Sequence, residues 1–252
     1  MSKKKSKKLF DERWTKKQER KENRKRIKML LASDNEEAFA LAYKLKACAK
    51  RSPCKSPACA VCNHEESEIW IKNLLRFLKK KRTIHFLTLA PNALFINPRG
   101  LRQVSAKLIK SSLAKRIERS NLRKALVAGG IEAVYKEESN KISVHLHLIF
   151  ANCTKSEIEA FCLHYYKFKK GGARQYRCDE IKDGDRPRTF SYCHKHRTYF
   201  KKKGFRKPFR PPPEIEIAHL LFLDRHTFKD LLFFKGIRQS RKGMRRAPKA
   251  KK

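Results

Sequence analysis

The segment Val144-His145-Leu146-His147-Leu148-Ile149-Phe150 alternates apolar side chains with two imidazoles. On a strand, successive side chains point to opposite faces. Val144, Leu146, Leu148 and Phe150 then line an apolar face, while His145 and His147 share the other and can reach a single divalent ion. The pair alone is a weak signal. His194-Lys195-His196 has the same spacing without the alternation, and two surface histidines on a half-buried sheet would read the same way. Glu132 adds weight. It lies on a preceding strand between Ile131 and Ala133, joined to the histidine strand by the polar turn Glu137 to Asn140. A turn centred on Glu138-Ser139 places Glu132 opposite His145; one centred on Ser139-Asn140 places it opposite His147. Either way two histidines and a carboxylate share a face, with positions left for substrate oxygen, a set suited to Mn²⁺ or Mg²⁺ at a phosphate. Pairing of Glu132 with one of the many lysines is the structural alternative.

A second constellation is Cys48, Cys54, Cys59 and Cys62, with five, four and two residues between successive members and His64 as a substitute ligand. Its C-x-x-C end has a common zinc-knuckle spacing, and the rest is unusual. A structural Zn²⁺ is expected there, against simple reduced cysteines. Four of the eight cysteines cluster and four are scattered, which fits a reducing compartment better than a disulfide framework.

Beside these residues stand others that match a family. Phe86-Leu87-Thr88-Leu89 resembles the first motif of rolling-circle plasmid replication initiators, members of the HUH endonuclease superfamily. Gly130-Ile131-Glu132-Ala133-Val134 resembles the segment leading into their second motif. His145-Leu146-His147 is similar to that second motif, the HUH itself, in which U is hydrophobic. Tyr192-Cys193-His194-Lys195 looks like the third, a tyrosine followed three residues later by lysine. The resemblance covers roughly residues 54 to 200; Asp230 to Gly236 is loosely similar to a C-terminal strand of the family. Ala90 stands where many members have Thr, and Ser143 where several have a further His.

The resemblance implies a metal-dependent tyrosine nickase and ligase. Tyr192 would attack a DNA phosphodiester, leaving a 5′-phosphotyrosine link and a free 3′-hydroxyl able to prime synthesis. Lys195, at i+3 and hence on the same helical face, would offset negative charge. His145, His147 and Glu132 would hold Mn²⁺ or Mg²⁺. Some initiators and related transposases carry cysteines before the first motif, in keeping with structural zinc. Single-stranded or hairpin origin DNA is the implied partner. The chain has no Gly-rich lysine loop of the Walker type, so a separate helicase and polymerase are expected. A transposase or a conjugative relaxase would use the same nick. A non-enzymatic zinc-knuckle nucleic-acid binder would account for the charge, but not for the histidines, the glutamate or the ordered Tyr-x-x-Lys. Tyr165, Tyr166, Tyr176 and Tyr199 rival Tyr192 as nucleophile, or could stack on bases.

These residues need elements to position them. Strand signals run over Thr83 to Leu89, Gly130 to Lys136, Ile142 to Ala151 and Gln175 to Ile181. Helical spacing runs over Asn35 to Lys46, Ile69 to Leu78, a basic helix from Leu101 to Ile117, Ser156 to Phe168 with Ser156 as N-cap, and Thr189 to Phe200. Ile215 to Phe234 is the last apolar block. This order predicts an α+β fold: a central, mainly antiparallel sheet with flanking helices, plus a small N-terminal cysteine-rich module. The expected divisions are a basic, flexible or partly helical arm over 1–32, the helical and cysteine-rich module over 33–80, the nicking domain over 81–237 and a basic tail over 238–252.

Sixty-four Lys and Arg against 24 Asp and Glu leave a net charge of +40, for which a polyanion is the natural partner. Lys107, Lys110, Lys115 and Arg116 on the basic helix, with Arg174 and Arg197, are the expected phosphate contacts. No apolar stretch approaches bilayer length and the N-terminus lacks a signal-peptide apolar region, so a cytoplasmic location is expected.

Overall fold

The computed structural model describes residues 15–166, 175–194, 196, 198–200, 209–240 and 243–248. In chain order its elements are α1 (Lys16–Leu31), α2 (Glu36–Lys46), α3 (Ala60–Leu78), β1 (Ile84–Leu89), β2 (Phe95–Ile96), α4 (Ala106–Glu118), β3 (Leu126–Lys136), β4 (Lys141–Ala151), α5 (Lys155–Tyr165), β5 (Tyr176–Glu180), α6 (Arg186–Tyr192), α7 (Pro213–Asp224), α8 (Phe228–Leu231), β6 (Leu232–Lys235), β7 (Ile237–Ser240) and β8 (Gly243–Arg246). The main sheet runs β5-β1-β4-β3-β6, with β2 extending beside the start of β4. Every pairing in it is antiparallel, as the sequence leads one to expect.

The β3–β4 hairpin is its centre. Eleven residues pair with eleven, from Leu126↔Ala151 to Lys136↔Lys141. The turn Glu137 to Asn140 closes with Asn140 in the left-handed region, φ 48°, a conformation that asparagine tolerates better than most side chains. Alternation then sorts the faces. Leu87, Leu89, Val127, Leu146, Leu148 and Phe150 meet Leu113 and Ile117 of α4 and Ile158 and Phe161 of α5. On the other face Ile84, Ala128, Ile149 and Ala151 meet Trp70, Ile71, Leu74 and Leu78 of α3 and Phe190 of α6. Burying leucine-sized side chains on both sides contributes about 1.5–3 kcal/mol each, so this part of the sheet is a packed floor.

Three expectations need correction. The stretch expected as a flexible or partly helical arm is, from Lys16, a packed helix with a capping box at Thr15. It is anchored by polar groups: the fully buried Arg26 donates to Ala58 O (2.7 Å) and to Glu22, and Asn23 bonds Leu45 O and Ala60 N. The four cysteines cluster near the N-terminal region as expected, and they pack on their neighbours. Cys59 and Cys62 share one core cluster with α1, α2, α7 and the hairpin end Ile131, Ala133, Tyr135, Ile142 and Val144. Part of the expected basic tail is the β7–β8 hairpin, with Gly243 lying near Asn73 of α3. Finally, the cap of α5 is Thr154, whose hydroxyl accepts from Glu157 N while Glu157 reaches back to the Thr154 N–H; Ser156 lies within that helix. No described helix is long and apolar enough to cross a membrane.

Candidate metal centre and its tyrosine

Register decides the site. Glu132 pairs with His145, and His147 with Gly130 on one side and Thr88 on the other. Glu132, His145, His147, Thr88, Phe86 and Ser143 therefore share one face. Ligand atoms of Glu132, His145 and His147 all lie within 4.8 Å of one another. His147 Nε2 donates to Glu132 Oε2 at 2.7 Å. Its Nδ1 is 3.2 Å from the Thr88 hydroxyl, and Phe86 stacks on its ring at 5.5 Å, with 9° between planes. His145 Nε2 lies 2.8 Å from Ser143 Oγ. Burial pushes the His145 imidazole down to about 4, with Glu132 pulling the other way, so near neutral pH it is uncharged and a competent ligand. Two imidazoles and a carboxylate are a donor set that fits a divalent ion, which would take the place of the hydrogen bond between His147 and Glu132.

Tyr192 is the last residue of α6, and its ring lies 6.3 Å from that of His147 and 6.2 Å from that of Phe86. What holds it there is a close approach: any side chain at Gly130 would overlap the Cys193 carbonyl oxygen, which rests directly on β3. We expect Gly130→Ala to cost about 2–3 kcal/mol, as overpacking at a rigid contact does, read as a lower urea midpoint at unchanged slope. An unaltered midpoint would mean that Cys193 is not held against the strand. A cleft of about 350 Å³ opens beside Tyr192, Thr88 and Phe86; its walls carry both Arg177, Lys182 and Arg188 and the acids Asp179, Glu180 and Asp185, with Arg177 paired to Asp179 at 2.7 Å.

The expected helix over 189–200 is shorter and earlier, ending at Tyr192. Lys195, expected on the same helical face as Tyr192, lies outside the described residues, as do Arg174 and Arg197. The other expected phosphate contacts sit elsewhere: α4 packs under the face opposite the histidines. There Arg116 lies over the rings of Tyr165 and Tyr166 and Lys110 donates to Lys229 O, leaving Lys107 and Lys115 exposed. Sequence reasoning missed Thr88 and Ser143 as partners of the histidines, although Thr88 stood inside a quoted motif. It also missed Arg177, Lys182 and Arg188, whose signal needed the cleft.

The four cysteines converge too. Cys48 and Cys62 sulfurs are 3.5 Å apart, Cys54 and Cys62 3.7 Å, and Cys59 and Cys48 3.7 Å. Four thiolates about 2.3 Å from one tetrahedral ion would be about 3.8 Å apart, so this cluster could hold a structural metal such as zinc. Hydrogen bonds from Cys59 and Cys62 hold the Cys54 thiol far below its usual range, while that same sharing with Cys54 drives Cys59 and Cys62 upward. Crowded sulfurs of this kind ionise together only around a cation. No family model, no curated protein and no solved structure matches the chain.

Proposed function

We propose that the chain is a metal-dependent, single-tyrosine DNA nicking and joining enzyme, of the kind that initiates rolling-circle plasmid replication. One observation carries the reading: Glu132, His145 and His147 converge within 4.8 Å on the sheet face that also carries the ring of Tyr192. Ordinary surface histidines do not need a buried carboxylate, a hydroxyl on the far ring nitrogen and a tyrosine overhead.

In this reading Glu132, His145 and His147 hold Mn²⁺ or Mg²⁺, which when bound polarises a phosphodiester and stabilises developing charge. Thr88 and Ser143 orient the two imidazoles, as outer partners of metal ligands do. The Tyr192 oxygen forms a bond to phosphorus as the bond to the 3′-oxygen breaks; the phenolic proton is lost and the leaving 3′-oxygen gains one. The reverse step rejoins strands, so the enzyme is both nickase and ligase. Arg177, Lys182 and Arg188 in the cleft supply phosphate contacts. Zinc fills the cysteine cluster, and strand separation and synthesis fall to a separate helicase and polymerase.

The test is incubation of a mixed-sequence single-stranded DNA library with Mn²⁺, followed by a denaturing gel. A protein–DNA band that survives denaturant and yields a phosphotyrosine peptide is expected; its absence over a range of divalent ions would remove the enzyme and leave a basic nucleic-acid binder. Glu132→Gln keeps size and hydrogen bonding but removes a charged oxygen. The metal concentration for half-maximal adduct should then rise at least about tenfold. An unchanged metal requirement would take Glu132 out of the ligand set.

A further inference from the structure

Where the polyanion runs away from the tyrosine is a separate question, because the basic helix α4 lies on the wrong side of the sheet. Away from α4, the helices α1 and α2, the cysteine loop and the first turns of α3 enclose a groove of about 460 Å³. Its floor includes Ile27, Leu45 and Val61; apart from Glu65 on α3, its exposed rim is cationic: Lys16, Arg20 and Arg24 from α1, with Lys46 and Lys50. All five are exposed, and among the described residues none is seen in an ion pair. The three on α1 stand at i, i+4 and i+8, one stripe with about 6 Å between steps. At one end Glu19, buried, lies 3.7 Å from His64, an acceptor beside a donor.

We propose that this groove binds an unpaired nucleotide of single-stranded DNA, its base on the apolar floor and the flanking phosphates on the two basic rims. An apolar slot between cationic rims matches a strand that offers alternating bases and charges, and a groove this size takes one base, not a duplex. The Glu19–His64 pair is placed to meet a base edge, a carboxylate accepting from an exocyclic amine.

This rests on the nickase reading for the choice of DNA, but its test does not use nicking. Anisotropy of a fluorescein-labelled, mixed-sequence single-stranded oligodeoxynucleotide is titrated with the full chain carrying Arg20→Glu and Arg24→Glu. The comparison variant carries Lys107→Glu and Lys115→Glu, the same charge change on α4. The groove variant should lose at least about tenfold in single-strand affinity, lower its salt slope by about one to two, and lose less on the matching blunt duplex. The α4 variant should lose clearly less on the single strand. An equal or larger loss from the α4 variant, an equal loss on duplex, or no loss from the groove variant would overturn the proposal. A cooperative urea transition at the wild-type midpoint shows that each variant is folded. Covalent adduct formation at saturating DNA reads Tyr192 and the metal centre, so the groove and the nickase can fail independently.

Discussion

Tyr192→Phe is expected to abolish the covalent adduct, below about one part in 10⁴ of the wild-type yield, while single-strand affinity stays within about threefold. The reasoning begins with packing. The Tyr192 ring sits against Phe86 and His147, and phenylalanine keeps those ring contacts, so α6 and the cleft are retained. What is lost is the oxygen that, in the proposed reading, forms the phosphotyrosine bond beside Glu132, His145 and His147. The rival tyrosines are placed for other work. Burial raises Tyr166, which lies under Arg116 on the far side of the sheet, and Tyr165 and Tyr176 pack in that same cluster. Tyr199 donates to Glu22 Oε2 at 2.7 Å and is pushed up to about 12, chiefly by burial and then by that carboxylate. Tyr135 donates to Asn140, and Tyr43 is exposed on α2. Quantifying the denaturant-stable band against bound DNA checks the expectation. An adduct persisting at the wild-type level in Tyr192→Phe would move the nucleophile elsewhere.

How much of this could be read from the chain follows from where each signal lives. The hairpin was legible because apolar alternation has a period of two and its loop is short. Both turns considered kept Glu132 with the histidines, and the left-handed Asn140 selects the one opposite His145. Helix α1 was not legible as a packed element, because apart from Leu30 its buried positions are polar: Glu19, Glu22, Asn23 and Arg26. Their partners, Ala58 O, Leu45 O and Arg210, are distant in sequence, and hydropathy cannot register a face that is buried by hydrogen bonding. Two helix starts are written in the local sequence. Thr15-x-x-Gln18 and Thr154-x-x-Glu157 are capping boxes, and the second corrects the start of α5. The end of α6 was hidden for a different reason: it is set by contact with Gly130, a tertiary event that no local pattern announces.

Stripping the cysteine cluster of metal should have the largest effect on stability, and it should reach beyond the loop itself. The segment between α2 and α3 has little else to order it: a single bridge, Ala49↔Ser52, and a turn that places Lys55 in the left-handed region at φ 55°. Cys54 N–H donates to Cys48 sulfur at 3.4 Å, an interaction that strengthens when the sulfur is an ionised ligand. Arg26 and Asn23 of α1 are anchored on Ala58 and Ala60 of this same stretch. Disordering the loop thus leaves the buried Arg26 with Glu22 alone and takes the Ala60 N–H from Asn23, and each buried polar group left short of a partner costs about 1–3 kcal/mol. Chain purified without chelator should contain about one zinc per molecule by atomic absorption. Cys59→Ser, or a strong zinc chelator, should then lower the urea midpoint sharply and raise amide exchange across α1 as well as 47–60, with the β3–β4 hairpin still protected. Because Cys48 and Cys62 also wall the basic groove, single-strand affinity should fall in step with exchange in α1. Metal-free protein with a wild-type midpoint, or exchange confined to the loop, would mean that hydrogen bonding among the thiols suffices and that α1 stands without a cation beneath it.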